Sequence, residues 1–166
     1  MRDDSARWDP PAPLGYSAPG LTITKASSLR QHLVSGVGVQ KRFEDVRIGW
    51  PDIAKAGPLA LSLRRDRVLV IGDVDLDPGF HPAEALAVTD VSDAFAVMDL
   101  AGAAAFEHLR RGAELRLDRP SNSVMRLCFG IEVMLYRFAD PARFRVHVPR
   151  AFAAAFRGHV TAAAGA

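Results

Sequence analysis

Several features that this 166-residue chain lacks exclude classes of protein to which it could belong. It has one cysteine, Cys128, so no disulfide can form within the chain, which favours a reducing compartment. No apolar run approaches the roughly 20 residues of a membrane span. The proline-rich N-terminus also lacks the apolar centre of a signal peptide. These absences predict a soluble, cytoplasmic protein.

Long blocks of like charge are also missing. The net charge is +2 and the pI about 9.0, but the basic residues are scattered along the chain. A solvated surface therefore explains the basic pI better than a nucleic-acid interface does. A small RNA-binding module is a third and weaker interpretation, because the strands lack the aromatic residues on which RNA bases usually stack.

Composition divides the chain into two parts. Residues 1–20 are polar and rich in proline, which predicts a flexible N-terminal arm. Its Trp8, Leu14 and Tyr16 make the arm a candidate strap against a partner, so deleting Met1 to Gly20 is expected to weaken assembly. Residues 21–166 are predicted to form a single domain, because 49% of the chain is hydrophobic and a buried core is expected.

Hydrophobic periodicity predicts the elements of this domain. Strands are expected at residues 21–24, 59–63, 67–72, 93–102, 123–129, 131–138 and 143–148, with 59–72 forming a hairpin. Helices are expected over the face made by Val39, Phe43 and Val46, and at residues 82–88, 102–112 and 149–160. In the last strand, Phe144, Val146 and Val148 are predicted to point inward, and Arg145 and His147 outward.

The element order repeats. A strand, a helix and two strands are followed by a similar series, which closes with a further strand and a helix. This pattern predicts an α+β fold of repeated strand-helix-strand-strand units, with mostly antiparallel sheet and helices packed on one face.

The stretch GDVDLDPGFHPAEA, residues 72–85, has the carboxylate spacing of a calcium-binding EF-hand. The carboxylates are Asp73, Asp75, Asp77 and Glu84. However, position six is Pro78 instead of glycine, position nine is His81, and an apolar strand precedes the loop where a helix is needed. The favoured interpretation is a solvated acidic connector between two halves of the domain, and a looser cation site is left open.

The other residues capable of chemistry are also explained by structural roles. The histidines lack an i, i+4 metal spacing; they are His32, His81, His108, His147 and His159. His108 is interpreted as a cation at a helix end and His147 as an exposed strand residue. Cys128 is interpreted as a small buried hydrophobe, because only Arg126 lies near it on the same face to stabilise a thiolate.

Glycines and the loop at residues 118–123 add no catalytic constellation. Gly36, Gly38 and Gly130 lack the spacing of a dinucleotide or phosphate loop and are assigned to turns and a helix start. The loop DRPSNS holds serines and an asparagine without a base nearby in the sequence. We predict no catalytic, cofactor-binding or metal-binding residue in this chain.

The second half of the chain carries a family resemblance. It has a TD-x-S segment, a strand, an LAGA helix start, a helix ending at glycine, and two spaced leucines. These are Thr89, Asp90, Ser92, Leu100 to Ala103, Gly112, Leu115 and Leu117. The closing stretch FRVHVPRAFAAAF adds an aromatic residue, alternating valines, Arg150 and Phe152. In these features the chain resembles the gamma subunit family of heterotetrameric sarcosine oxidase, over Leu21 to Val160 and best from Val88 onward.

The resemblance implies a fold related to the folate-binding aminomethyltransferase domains. It also implies a non-catalytic accessory subunit that has no cofactor of its own and binds large alpha and beta flavoenzyme subunits; a small delta subunit is a further candidate partner. FAD, FMN, NAD and tetrahydrofolate are expected in those partners. Such a complex oxidatively demethylates an N-methyl amine or amino acid and passes the one-carbon unit to tetrahydrofolate. The alternative is a stand-alone folate-binding or aminomethyltransferase-like protein.

Overall fold

The computed structural model describes residues 13–27 and 29–162, and strands make up much of this part of the chain. The strands are β1 (Tyr16–Ala18), β2 (Leu21–Lys25), β3 (Gln31–Gly36), β4 (Arg47–Ile48), β5 (Ile53–Ala54), β6 (Leu59–Arg64), β7 (Arg67–Ile71), β8 (Gly79–His81), β9 (Leu86–Asp90), β10 (Phe95–Ala101), β11 (Met125–Cys128), β12 (Ile131–Phe138) and β13 (Arg143–Pro149). The α-helices are α1 (Val39–Arg42), α2 (Ala105–Arg110) and α3 (Ala153–Ala162). Short 3-10 turns cover Glu44–Val46 and Arg150–Phe152.

The strands form two sheets. Sheet I has the order β1-β2-β10-β13-β12-β11, with β5 added beside β12, and sheet II has the order β4-β6-β7-β3-β9-β8. The pairs β5–β12 and β4–β6 are parallel, whereas the other strand pairs of the described residues are antiparallel. The predicted α+β fold with mostly antiparallel sheet is confirmed.

The two sheets pack face to face, and each carries its helices on its outer face only. Between the sheets, Leu61 of β6 and Tyr136 of β12 belong to one buried cluster. On the outer face of sheet I, Phe144 of β13 packs in a cluster with Phe156 of α3. On the outer face of sheet II, Val39 of α1 belongs to a third cluster. The inner face of each sheet is therefore largely covered by the other sheet, and strand alternation alone does not reveal this.

A repeated unit is visible in the topology, but its first strand is β3, and the strand predicted to open the first series, residues 21–24, lies in sheet I as β2. In sheet II, β3 leads through α1 to the hairpin β6-β7, and β3 then pairs with β7. In sheet I, β10 leads through α2 to the hairpin β12-β13, and β10 pairs with β13. Both sheets thus contain the same strand-helix-hairpin unit.

Three helix predictions need correction. Residues 82–85 form a turn, closed by the Ala85 N–H donating to the Pro82 carbonyl at 3.2 Å, and the rest of the predicted helix is strand β9. Helix α1 ends before Phe43, whose backbone is not helical, so Val46 lies outside the helix and is 37% exposed. At the C-terminus, Phe152 lies in a 3-10 turn and is 53% exposed, so the buried face of the helix starts later.

The predicted N-terminal arm is partly ordered. Its residues 1–12, including Trp8, lie outside the described residues. Tyr16–Ala18 pair with β2 as strand β1, and Leu14 and Tyr16 pack against the core beneath sheet I. A boundary at residue 20 therefore cuts through a hairpin, and Leu14 and Tyr16 contact this chain's own core. No helix in the described ranges is long and apolar enough to cross a membrane.

The acidic stretch at residues 72–85 belongs entirely to sheet II and to the segment that packs on the outer face of that sheet. It follows β7 and contains β8, so the interpretation as a connector between two halves is wrong; the chain crosses between the sheets elsewhere, for example between β9 and β10. Val74 and Leu76 pack against the outer face of sheet II, while Asp73, Asp75 and Asp77 are exposed. Apolar residues that face the sheet therefore alternate with aspartates that face solvent, as expected for a segment that packs on a sheet.

Candidate functional site

A polar cluster lies on the inner face of sheet I, between the two sheets. It consists of Asp99, Tyr136, Arg143, Arg145 and His147 of sheet I with Gln31 of sheet II. The register of β10, β12 and β13 places Asp99 and Tyr136 on either side of Arg145. Because successive strand residues point to opposite faces, Arg145 and His147 face sheet II while Phe144, Val146 and Val148 face the helices.

Asp99 is the centre of this polar cluster. Arg145 donates from Nε to Oδ1 at 2.6 Å and from Nη2 to Oδ2 at 2.8 Å, and Arg143 donates from Nη2 to Oδ2 at 2.6 Å. The Asp99 side chain is only 4% exposed. Burial on its own raises the pKa of this carboxyl, but the hydrogen bonds from Arg145 and Arg143 outweigh burial and hold its pKa below the usual value. Asp99 is therefore ionised at neutral pH.

Arg145 is held from two sides. Its guanidinium lies 3.5 Å above the ring of Phe138, a cation–π contact, while its edge forms the two bonds to Asp99. Two arginines against one carboxylate leave this part of the polar cluster with one excess positive charge. The ring of Phe138 and the carboxylate of Asp99 together offset the free-energy cost of desolvating Arg145.

His147 is fully buried, so its predicted exposure is wrong. Gln31 Nε2 donates to the Ser92 carbonyl at 3.4 Å, which orients the Gln31 amide so that Oε1 faces His147 Nδ1 at 2.7 Å. The imidazole therefore carries its proton on Nδ1, and Nε2 accepts from the Tyr136 hydroxyl at 3.1 Å. Burial first, and Arg145 second, lower the pKa of His147 to about 3. The ring is neutral.

This arrangement suits a structural link better than proton transfer. The Asp99 carboxylate already accepts three hydrogen bonds, and both nitrogens of His147 are engaged. Burial also raises the pKa of Tyr136, which keeps its hydroxyl protonated. The bond from His147 to Gln31 joins sheet I to sheet II, so the polar cluster fixes how the two sheets pack.

Two open cavities flank the polar cluster. One of about 500 Å³ has Tyr136, Phe138 and Arg145 on one wall, with Pro58 and Ile71 among the residues opposite. The other, a cleft of about 690 Å³, lies where the chain crosses between the sheets. Its rim includes Lys25 and the Arg150–Asp93 pair, and its lining includes the apolar side chains of Leu29, Phe95 and Val97. The cleft combines cationic groups with apolar wall and has room for a small amphipathic molecule.

The EF-hand residues do not converge. Asp73 accepts from Arg30 at 2.9 Å and Glu84 accepts from Arg42 at 3.2 Å, so two of the four carboxylates are engaged by arginines. Within residues 13–27 and 29–162, no group of three or more His, Cys, Asp or Glu side chains could hold a metal ion. The flanking elements are strands, as the sequence indicated on the N-terminal side.

Cys128 and His108 are both buried in sheet I and its helices. The prediction of a buried Cys128 is confirmed: its thiol donates to the Leu109 carbonyl at 3.8 Å, and burial raises its pKa to about 12. The prediction of a cationic His108 is wrong, because burial and the neighbouring Arg111 lower the pKa of His108. The Cys128 thiol is therefore protonated at neutral pH, and the His108 imidazole is uncharged there.

The glycines and the loop at residues 118–123 have structural contacts. Gly38 is the N-cap of α1 with φ +84°, and Gly130 lies in the β11–β12 turn with φ +77°, so their assignment to a helix start and a turn is confirmed. Gly36 is instead the last residue of strand β3. Ser121 exchanges two backbone hydrogen bonds with Trp50, and the Ser123 hydroxyl donates to the Leu63 carbonyl at 2.7 Å. These serines attach the loop to the neighbouring strands.

Sequence reasoning missed Asp99 and Gln31. A signal for Asp99 was present, because it is one charged residue inside the otherwise apolar strand AVMDLA, and the arginines of RFRVHV were available as partners. A buried charge is rarely found unpaired. Gln31 carried no such signal, since its role depends on the packing of the second sheet.

Comparison with known proteins finds a likeness among solved structures. No protein-family model and no curated protein matches the sequence. Among solved structures, the chain resembles a chain of heterotetrameric sarcosine oxidase from Corynebacterium sp. U-96, in complex with pyrrole 2-carboxylate, with a TM-score of 0.68 and 18% identity. The match covers 92% of this chain and 88% of that chain. The chain therefore has a sarcosine-oxidase-related fold, whereas its correspondence to the gamma subunit stays a prediction.

Proposed function

We propose that this chain is the gamma-type accessory subunit of a sarcosine-oxidase-like flavoenzyme complex. The observation that carries the proposal is the likeness of nearly the whole chain to a subunit of a heterotetrameric enzyme. Because the match extends over most of both chains, it includes the two-sheet arrangement and is not limited to one common motif.

The engagement of the polar cluster supports a non-catalytic role. The Asp99 carboxylate is engaged by two arginines of sheet I, and the His147 imidazole bonds to Gln31 of sheet II, so both groups are committed to structural contacts. In the proposed complex, large alpha and beta subunits bind FAD, FMN, NAD and tetrahydrofolate. The complex oxidatively demethylates an N-methyl amine or amino acid in the cytoplasm, and the one-carbon unit passes to tetrahydrofolate.

Co-expression with candidate alpha and beta subunits tests the proposal. We expect the chain to co-elute with them, and we expect omission of the chain to reduce the yield of assembled, active complex. An accessory subunit stabilises by burying a large surface on its partners, so partner melting temperature is a second measurement. A chain that stays monomeric and whose omission changes neither assembly nor turnover would refute the proposal.

The cleft of about 690 Å³ favours one alternative, a stand-alone folate-binding protein. Its apolar lining fits an aromatic ring system, and Lys25 and Arg150 at its rim fit carboxylates. Calorimetry with a reduced folate on the isolated chain distinguishes the two functions. Micromolar binding that is lost in Lys25→Ala would favour the alternative, and an absence of heat change would support the accessory subunit.

A further inference from the structure

Strand β8 is a free edge of sheet II. It pairs with β9 on one side, and no strand of the described ranges pairs with its other side. An edge strand offers a row of backbone donors and acceptors with which another chain can pair. Strand β8 has three residues and lies between Pro78 and Pro82, and its central residue, Phe80, is 68% exposed.

The face that carries Phe80 is also uncovered at this edge. The register places Phe80 beside Ala87 and Ala87 beside Ser35, so these side chains share one face of sheet II. Leu33, two residues earlier on β3, points to the same face and packs in the core between the sheets. Ala87 and Thr89 are nevertheless exposed, so sheet I stops short of β9 and β8. Phe80 therefore lies on an unpartnered extension of the inner face.

The surroundings of β8 are acidic in a chain with net charge +2. Residues 72–85 contain four carboxylates and no lysine or arginine. Arginines elsewhere in the chain engage Asp73 and Glu84. Asp75 and Asp77 are exposed, and within the part of the chain that the structure describes they form no ion pair.

Asp77 lies directly beside the free edge. It precedes β8 by two residues, and its carbonyl oxygen is 2.8 Å from His81 Nε2, which fixes the segment against the strand. The edge thus combines three features: open backbone groups, an exposed aromatic ring on an open face, and the unpaired carboxylate of Asp77.

We propose that β8 accepts an additional strand from a partner subunit, an extended segment that carries lysine or arginine. Its backbone extends sheet II, one apolar side chain packs on Phe80 and Ala87, and a cationic side chain faces Asp77. A second copy of this chain fits less well, because pairing β8 with β8 places acidic segments together. The identity of the partner, a larger subunit of the oxidase, rests on the proposed function.

The test uses the full chain co-expressed with candidate alpha and beta subunits. Phe80→Ser is expected to weaken assembly about tenfold or more, the effect of truncating a central apolar anchor. Asp77→Asn is expected to reduce the salt dependence of assembly. The matched control is Leu127→Ser, because Leu127 is also an exposed residue, at 63%, on an edge strand, β11 of sheet I. We expect it to assemble within about twofold of wild type, since β11 lies outside the proposed interface and its truncation removes no anchor.

Hydrogen exchange of the wild-type chain gives an independent measurement, and it decides the matter if Phe80→Ser fails to fold. Amide exchange in residues 79–81 should slow on assembly, while exchange in β11 should not change. Normal assembly of a folded Phe80→Ser variant, or unchanged exchange at β8 in an assembled complex, would overturn the inference and leave the proposed function intact.

Two other outcomes also count against the inference. If the wild-type chain does not assemble with the subunits at all, the proposed function and the inference both fail. If the isolated chain sediments as a dimer that Phe80→Ser dissociates, the occupant of the edge is a second copy, and the cationic partner is refuted.

Discussion

Replacing Asp99 with asparagine tests whether the buried ion pairs of the polar cluster stabilise the fold. The change removes the counter-charge of Arg145, whose side chain is only 11% exposed, and breaks charge-assisted bonds of 2.6 to 2.8 Å. Removing one partner of a buried ion pair typically costs about 3–5 kcal/mol, because the other charge stays buried without compensation. Domains of this kind have a free energy of unfolding of about 5–15 kcal/mol. We therefore expect Asp99→Asn to lower the urea midpoint severely, measured by tryptophan fluorescence and circular dichroism.

Asp118→Asn is the matched control. Asp118 forms the same two-bond contact with Arg116, from Nε at 3.1 Å and Nη2 at 2.7 Å, but its side chain is 67% exposed. Solvent screens such pairs, so the urea midpoint should hardly move. If both variants lose the same small amount of stability, burial of the Asp99 pair does not matter and the reasoning fails.

The pH dependence of the Asp99 effect has a defined sign. The pKa of Asp99 is lower in the folded chain than in the unfolded chain, so its contribution is fully present above the unfolded value of about 3.9. As the pH falls through the lower folded pKa, that contribution is lost. The stability difference between wild type and Asp99→Asn should therefore be largest near neutral pH and shrink in acid.

Three further predictions address other parts of the fold. Gly102 has φ +118°, and a Cβ added there would overlap the Gly20 carbonyl oxygen. Gly102→Ala should therefore lower the free energy of unfolding by about 1–3 kcal/mol in urea titrations. The control is Gly158→Ala in helix α3, which has open space around it and should be neutral or stabilising. Cys128 should resist iodoacetamide in the native chain at pH 8 and react in urea, as mass spectrometry can show; rapid native labelling would contradict its raised pKa. The pKa of His147 is about 3 in the folded chain and about 6.5 in the unfolded chain. The free energy of unfolding of the wild type should therefore decline as the pH falls between these two values, and His147→Gln should flatten that decline.

The alternation of apolar and polar residues predicted strands well. It failed to predict burial where a second sheet packs on the polar face of a strand. The pattern of RFRVHV separates Phe144, Val146 and Val148 from Arg145 and His147, and the structure keeps that separation. The pattern does not state what covers each face. A polar residue on the second face reads as exposed, yet His147 is buried because sheet II packs there and Gln31 supplies a partner.

The acidic stretch at residues 72–85 shows the same limit. Alternate aspartates matched an EF-hand template, and Pro78 argued against it on local grounds. The spacing arises because Val74 and Leu76 cover sheet II while the aspartates face solvent. Local rules excluded the wrong site, but the role of the segment follows from contacts with strands distant in sequence.

Isolation of the tagged chain from its native host under gentle conditions shows whether the chain is a subunit of a flavoenzyme complex. We expect a complex much heavier than the 18.0 kDa chain, with larger subunits that show the visible absorption of bound flavin and oxidise an N-methyl amine. Native mass spectrometry should place this chain in that complex in fixed stoichiometry. A chain recovered alone, with no flavin-containing protein in the same complex, would refute the proposed function.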